Sequence, residues 1–181
     1  MNNLILVGCG NRGLHHLDAM QKFGTVPRMF CDFNETSLSQ LKNKHKNSMF
    51  FNDLNDLTKK LENNLSHFAI VSVDVVNNNQ VALKLLESGV NVLIEKPPGL
   101  KIEEVQLLNE ASIKNKVFCY VGFDRRFNPF VTKALEIIKQ EGEIFNVSGE
   151  FNKDISEWVG KRGFDDTILD KMVLESPIHS I

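Results

Sequence analysis

The sequence predicts an α/β fold, a doubly wound parallel sheet followed by the incomplete opening of a second, α+β domain. Three observations carry this. Six short apolar runs, several rich in Val, Ile and Phe, recur between residues 4 and 123. Each is too short for a core helix, and buried parallel strands have this composition. Helical patterns lie between the runs, and strand–helix alternation builds βαβ units with helices on both faces of one sheet. After Phe123 the rhythm breaks.

The expected strands fall at residues 4–8, 27–32, 48–51, 68–73, 92–95 and 117–123. Residues 12–23 form the first expected helix, with Leu14, Leu17 and Met20 spaced by three. Residues 78–88 form another, stopped by Gly89, and the asparagine run 77–79 opens it. Residues 102–114 are acidic at the start and basic at the end, as the helix dipole favours. Right-handed crossovers with short loops make 3-2-1-4-5-6 the natural strand order. The first domain then covers residues 1–122. In residues 123–181, a helix opens at Pro129 and closes near Gly142, residues 143–152 alternate as one strand, and a polar loop leads to a final apolar stretch. One strand cannot make a sheet, so this part is expected to be only the beginning of a second domain.

Composition narrows the function classes. Hydrophobic residues make up 42% and charged residues 24%, as in ordinary globular proteins. A net charge of −2 gives no electrostatic footprint for nucleic acid. No apolar run approaches the about 20 residues a membrane helix needs, and the amino terminus lacks the features of a signal peptide. Cys9, Cys31 and Cys119 lack metal-ligand spacing and read as buried free thiols. The expectation is a cytoplasmic protein without a metal site.

The first strand runs into G-x-G-x-x-G at Gly8, Gly10 and Gly13. In that motif the first glycine makes the tight turn, the second lets backbone approach a pyrophosphate, and the third lets helix and strand pack closely. The helix start then presents free N–H groups and a positive dipole end to phosphate. Asp32 ends the next strand, nineteen residues after Gly13, where a carboxylate accepts the ribose hydroxyls of an adenosine. It would repel a 2′-phosphate, and no Lys or Arg stands in the residues just after it. NAD is therefore expected over NADP. Glu95, Lys96 and Pro97 stand at the carboxyl end of the fifth strand, the edge where open α/β sheets bind ligands. A lysine there can donate or accept a proton.

With G8-C-G-N-R-G13, Asp32, E95-K96-P97 and the segment 121–129 (VGFDRRFNP) in this order, the chain resembles the glucose–fructose oxidoreductase / inositol dehydrogenase / MocA-like (Gfo/Idh/MocA) oxidoreductases. The resemblance implies an N-terminal Rossmann domain binding NAD(P), and hydride transfer at a secondary carbinol carbon of a sugar, inositol or nucleotide-linked sugar. It implies cofactor contacts from Gly8, Gly10, Asn11, Arg12, Gly13, Asp32, Ser72, Glu95, Lys96 and Arg126. Lys96 would lie beside the substrate oxygen. The family's D-x-x-x-H pair matches Glu175 and His179, with His179 as proton acceptor and Glu175 orienting it. A hydride cannot leave the carbon of an alcohol unless the hydroxyl proton goes too, and a histidine suits that exchange near neutrality. The whole protein is expected to be a homo-oligomer.

The sequence departs from the family pattern in places. Asp74 and Asn78 replace the proline and histidine of a T-P-x-x-x-H loop, Asp124 replaces an asparagine, and Pro177 lies between Glu175 and His179. Complete family members are much longer, so this polypeptide alone is expected to have little or no dehydrogenase activity. These departures leave room for a dinucleotide-binding module without chemistry. The other histidines carry no expected role: His15 and His16 as surface or packing residues, His45 solvated, His67 ahead of a strand.

Overall fold

The computed structural model describes residues 3–62, 65–146 and 148. The chain separates into two compact units, Met1–Gly122 and Phe123–Ile181. Each expected run in the first unit contains a strand: β1 (Leu4–Val7), β2 (Met29–Cys31), β3 (Met49–Phe51), β4 (Phe68–Val71), β5 (Asn91–Ile94) and β6 (Cys119–Val121). They form one parallel sheet in the order β3-β2-β1-β4-β5-β6, as the connections require.

Side chains alternate across the sheet. Ile5 and Val7 of β1 enter one core and Leu6 enters the other. The first core is closed by α3 (Leu54–Thr58), α4 (Asn78–Glu87) and α5 (Ile102–Asn115), through Leu57, Leu85, Leu86 and Leu108. The second is closed by α1 (Asn11–Lys22) and α2 (Glu35–Lys44), through Leu17, Leu38 and Leu41. Gly13 and Leu17 are the buried positions of α1, and Met20 packs beside them. Leu14, the first of the three apolar residues spaced by three, is 40% exposed.

Two helices, α2 and α3, lie outside the expected set. Their apolar faces are narrow, with Leu38 and Leu41 in one and Leu57 in the other. Local capping starts both. The Asn34 side chain accepts from the N–H groups of Thr36 and Ser37, and Asp53 accepts from those of Asn55 and Asp56. Helix α4 ends in a paired turn at Gly89, whose φ is +76°. The N–H of Gly89 bonds Leu86 O and that of Val90 bonds Leu85 O, so two terminal carbonyls are satisfied. Glu104 reaches back to the N–H groups of Leu100 and Lys101 at the start of α5.

In the second unit a 3-10 turn (Asp124–Phe127) leads to α6 (Pro129–Glu141). Pro129 occupies the first helical position, Asn128 caps through the N–H of Phe130, and the helix ends before Gly142. Residues 143–146 and 148, within the expected strand 143–152, carry no regular structure, and the rest of that segment lies outside the described residues. Among the described residues of the second unit there is no strand.

Candidate functional site

The register of the sheet assembles the site. Val7, Cys31, Phe51, Val71, Ile94 and Val121 are aligned across it. The next residues extend the ladder by one rung, with Gly8 N bonded to Cys31 O, Ser72 N to Val7 O and Glu95 N to Val71 O. Gly8, Asp32, Ser72 and Glu95 therefore stand side by side on the carboxyl edge, around the point where strand order reverses between β1 and β4.

The glycine loop has the shape a dinucleotide requires. Gly8 has φ +87°, and a Cβ there would lie 2.5 Å from Ser72 O. A Cβ on Gly13 would run into Gly8 O. A Cβ on Gly10 would meet nothing within 4 Å, so that backbone is open to approach. Gly10 also caps α1 without a side-chain hydrogen bond, and a helix start is the end that offers N–H groups to phosphate. The Ser72 hydroxyl donates to Gly8 O at 2.9 Å and braces the turn. Asn11 and Arg12 are the first two residues of α1. Asp32 is half-buried, accepting from Cys9 N at 2.6 Å and Asn34 N at 2.8 Å. It borders a cleft of about 430 Å³ that Gly8, Gly10, Phe33, Asp53 and Asp74 also line. Among the described residues no Lys or Arg lines this cleft, and Asp53 and Asp74 add carboxylates to the one at Asp32. Hydrogen bonding, first from the Asn55 N–H, holds the Asp53 carboxyl below its usual range. These features fit a dinucleotide whose adenosine ribose carries free hydroxyls.

Burial, reinforced by the charge of Asp32, pushes the Cys9 and Cys31 thiols up to about 12. They are buried free thiols, as expected, while Cys119 is half-buried. Among the described residues no cluster of metal-ligating side chains occurs, and no helix is long and apolar enough to cross a membrane.

The EKP turn is built by side chains that local sequence does not reveal. Glu95 is 6% exposed, and its Oε1 accepts from Arg12 Nε and His16 Nε2, both at 2.6 Å. His16, expected at the surface or in packing, is thus a half-buried partner of a buried carboxylate. Burial alone would raise the Glu95 carboxyl, but hydrogen bonds from His16 and Arg12, and their charges, outweigh it and hold the group below its ordinary range. Asn78, in the position of the family's histidine, is buried and donates to Glu95 O at 2.6 Å and Pro97 O at 3.2 Å. Asn79 donates to Pro98 O and Glu104 O. Asp74, in the position of the family's proline, accepts from the N–H groups of Val76 and Asn77 and shapes the turn into α4. Lys96 is half-buried at a cis Lys96–Pro97 peptide.

Other expectations are corrected or left apart. His45 is half-buried and stacks on Phe30, with its ring pKa lowered by burial and by Lys44. His67 is buried against Glu62. In the second unit, Arg126 donates to Phe123 O at 3.1 Å and its guanidinium lies over the rings of Phe123 and Phe127. Glu175 and His179 lie outside the described residues.

Comparison with known proteins agrees with this geometry. A model of the Gfo/Idh/MocA oxidoreductase family, described by its NAD-binding Rossmann fold, matches residues 2–123. An α-N-acetylgalactosaminidase of Bacteroides fragilis is 23% identical over 163 residues, 86% of this chain and 38% of that protein. The scyllo-inositol 2-dehydrogenase (NAD(+)) of Bacillus subtilis is 33% identical over 75 residues, 41% of this chain and 22% of that protein. Among solved structures, the WlbA dehydrogenase of Bordetella pertussis, crystallised with NADH and UDP-GlcNAcA, superposes with a TM-score of 0.70 at 20% identity. That match covers 77% of this chain and 42% of the other. The myo-inositol 2-dehydrogenase of Lactobacillus plantarum gives 0.67 at 18% identity, covering 76% and 40%. The chain thus spans less than half the length of the relatives it matches.

Proposed function

We propose, since the chain belongs to the Gfo/Idh/MocA oxidoreductase family with its NAD-binding Rossmann fold, that the whole protein is an NAD-dependent dehydrogenase. Its substrate is a secondary alcohol or ketone of a sugar, inositol or nucleotide-linked sugar. The observation that carries this is the sheet register, which sets the glycine loop, Asp32 and the turn bearing Lys96 along one edge.

In this reading NAD, when bound, supplies the hydride acceptor or donor for the carbinol carbon. The start of α1 and the backbone around Gly10 hold the pyrophosphate, and Asp32 accepts the ribose hydroxyls. Lys96 holds the substrate oxygen and stabilises charge that develops on it. His179 takes the hydroxyl proton and Glu175 fixes its imidazole. The carbohydrate class is supported by the names of the relatives, which include an N-acetylgalactosaminidase and inositol dehydrogenases. Asp74 and Asn78 have structural work in the turns flanking α4, so their departure from the family pattern needs no loss of chemistry to explain it. A homo-oligomeric whole protein belongs to the same proposal.

Calorimetry with NAD and NADP tests the cofactor assignment; tighter binding of NADP would refute the role of Asp32. In the whole protein, Lys96→Ala should abolish turnover with a polyol or sugar substrate while NAD still binds. Retained turnover would refute the role of Lys96.

A further inference from the structure

One buried carboxylate ties the phosphate-binding helix to the turn that carries Lys96. Arg12 and His16 are four residues apart and share a face of α1, and both donate to Oε1 of Glu95. A carboxylate only accepts, so the proton sits on Nε2 of His16. The Glu95 side chain is 7% exposed, a burial that a charge tolerates only when paired. The residue is fixed through its backbone as well, its N–H on Val71 O and its C=O on Asn78 Nδ2. Packing alone would not demand this cluster, because apolar side chains of like volume hold a helix to a strand about as well as buried ions do. Paired charges add direction, fixing how far and at what angle α1 meets the end of β5.

We infer that Arg12, His16 and Glu95 form a positioning triad, which sets the first turn of α1 and the Lys96 turn in register for a ligand that spans both. The inference rests on the cofactor reading above. The chemical class of that ligand is a dinucleotide, whereas a mononucleotide needs only the Asp32 side.

The test compares NAD with AMP by calorimetry on the 181-residue chain. His16→Ala should weaken NAD about tenfold and leave AMP within about twofold. His16→Gln, whose amide restores a donor to Glu95, should recover NAD binding to within about threefold of the unmodified chain. Glu95→Gln keeps the volume but not the charge and should also weaken NAD selectively; with His16→Gln it carries the test if His16→Ala does not fold. Equal losses of NAD and AMP, or no loss of either, overturn the triad while leaving the cofactor reading in place. An unmodified chain that binds no NAD overturns the cofactor reading and the triad together.

Discussion

The two halves of the candidate site are built by different means. On the Asp32 side, backbone does the work: a turn at Gly8, an open approach at Gly10, an uncapped helix start and one carboxylate held by main-chain N–H groups. On the Lys96 side, side chains do it. Arg12, His16, Asn78 and Asn79 come from two helices and converge on Glu95 and the prolines that follow. A site of backbone fails where bulk intrudes and tolerates most other changes. A site of buried polar side chains fails wherever one partner is removed.

Substitutions can break that contrast. The largest effect is expected from Gly13→Val, on the backbone side. The added carbon would collide with Gly8 O, a main-chain atom that cannot swing aside. It should cost about 3 kcal/mol or more in urea unfolding and abolish NAD binding. Next comes Asn78→Ala, on the side-chain side, which strips the donor from two carbonyls in a buried setting. A loss of about 2 kcal/mol by the same measurement is expected. Asn78→Asp should do worse, because a carboxylate would face those carbonyls with no proton to offer.

Asp32→Ala sharpens the comparison from the backbone side. NAD affinity should fall about tenfold, or about 1.4 kcal/mol, and the preference against NADP should shrink. Both are read by calorimetry. The smallest effect concerns acid. Glu95 titrates below its ordinary 4.5 in the folded chain, so its contribution to stability is complete above that value. That contribution is lost as pH falls through the lowered value. In Glu95→Gln the acid-side fall in unfolding free energy should be shallower. A steeper fall in the variant would remove Glu95 from the account.

The same contrast explains what could be read from the amino acids. The glycine loop, Asp32 and the strand order follow from patterns within one βαβ unit, where spacing fixes geometry. The role of His16 does not, because its partner lies 79 residues away and the pairing exists only once β5 stands beside β4. Asn78 looked like a departure from a motif; folded, it is the clasp of the turn. Helices α2 and α3 carry little apolar periodicity because their caps, more than a wide apolar stripe, define them.

The tethering of Asp32 has a kinetic consequence. Both of its oxygens are fastened before any ligand arrives, one to Cys9 N and one to Asn34 N, yet each retains a lone pair for a hydroxyl. The ordering entropy that a mobile acceptor would lose on binding is already lost when the chain folds. Capture of the adenosine end should therefore be limited by encounter and not by a moving loop. Discrimination among nucleotides would then lie in how fast each one leaves.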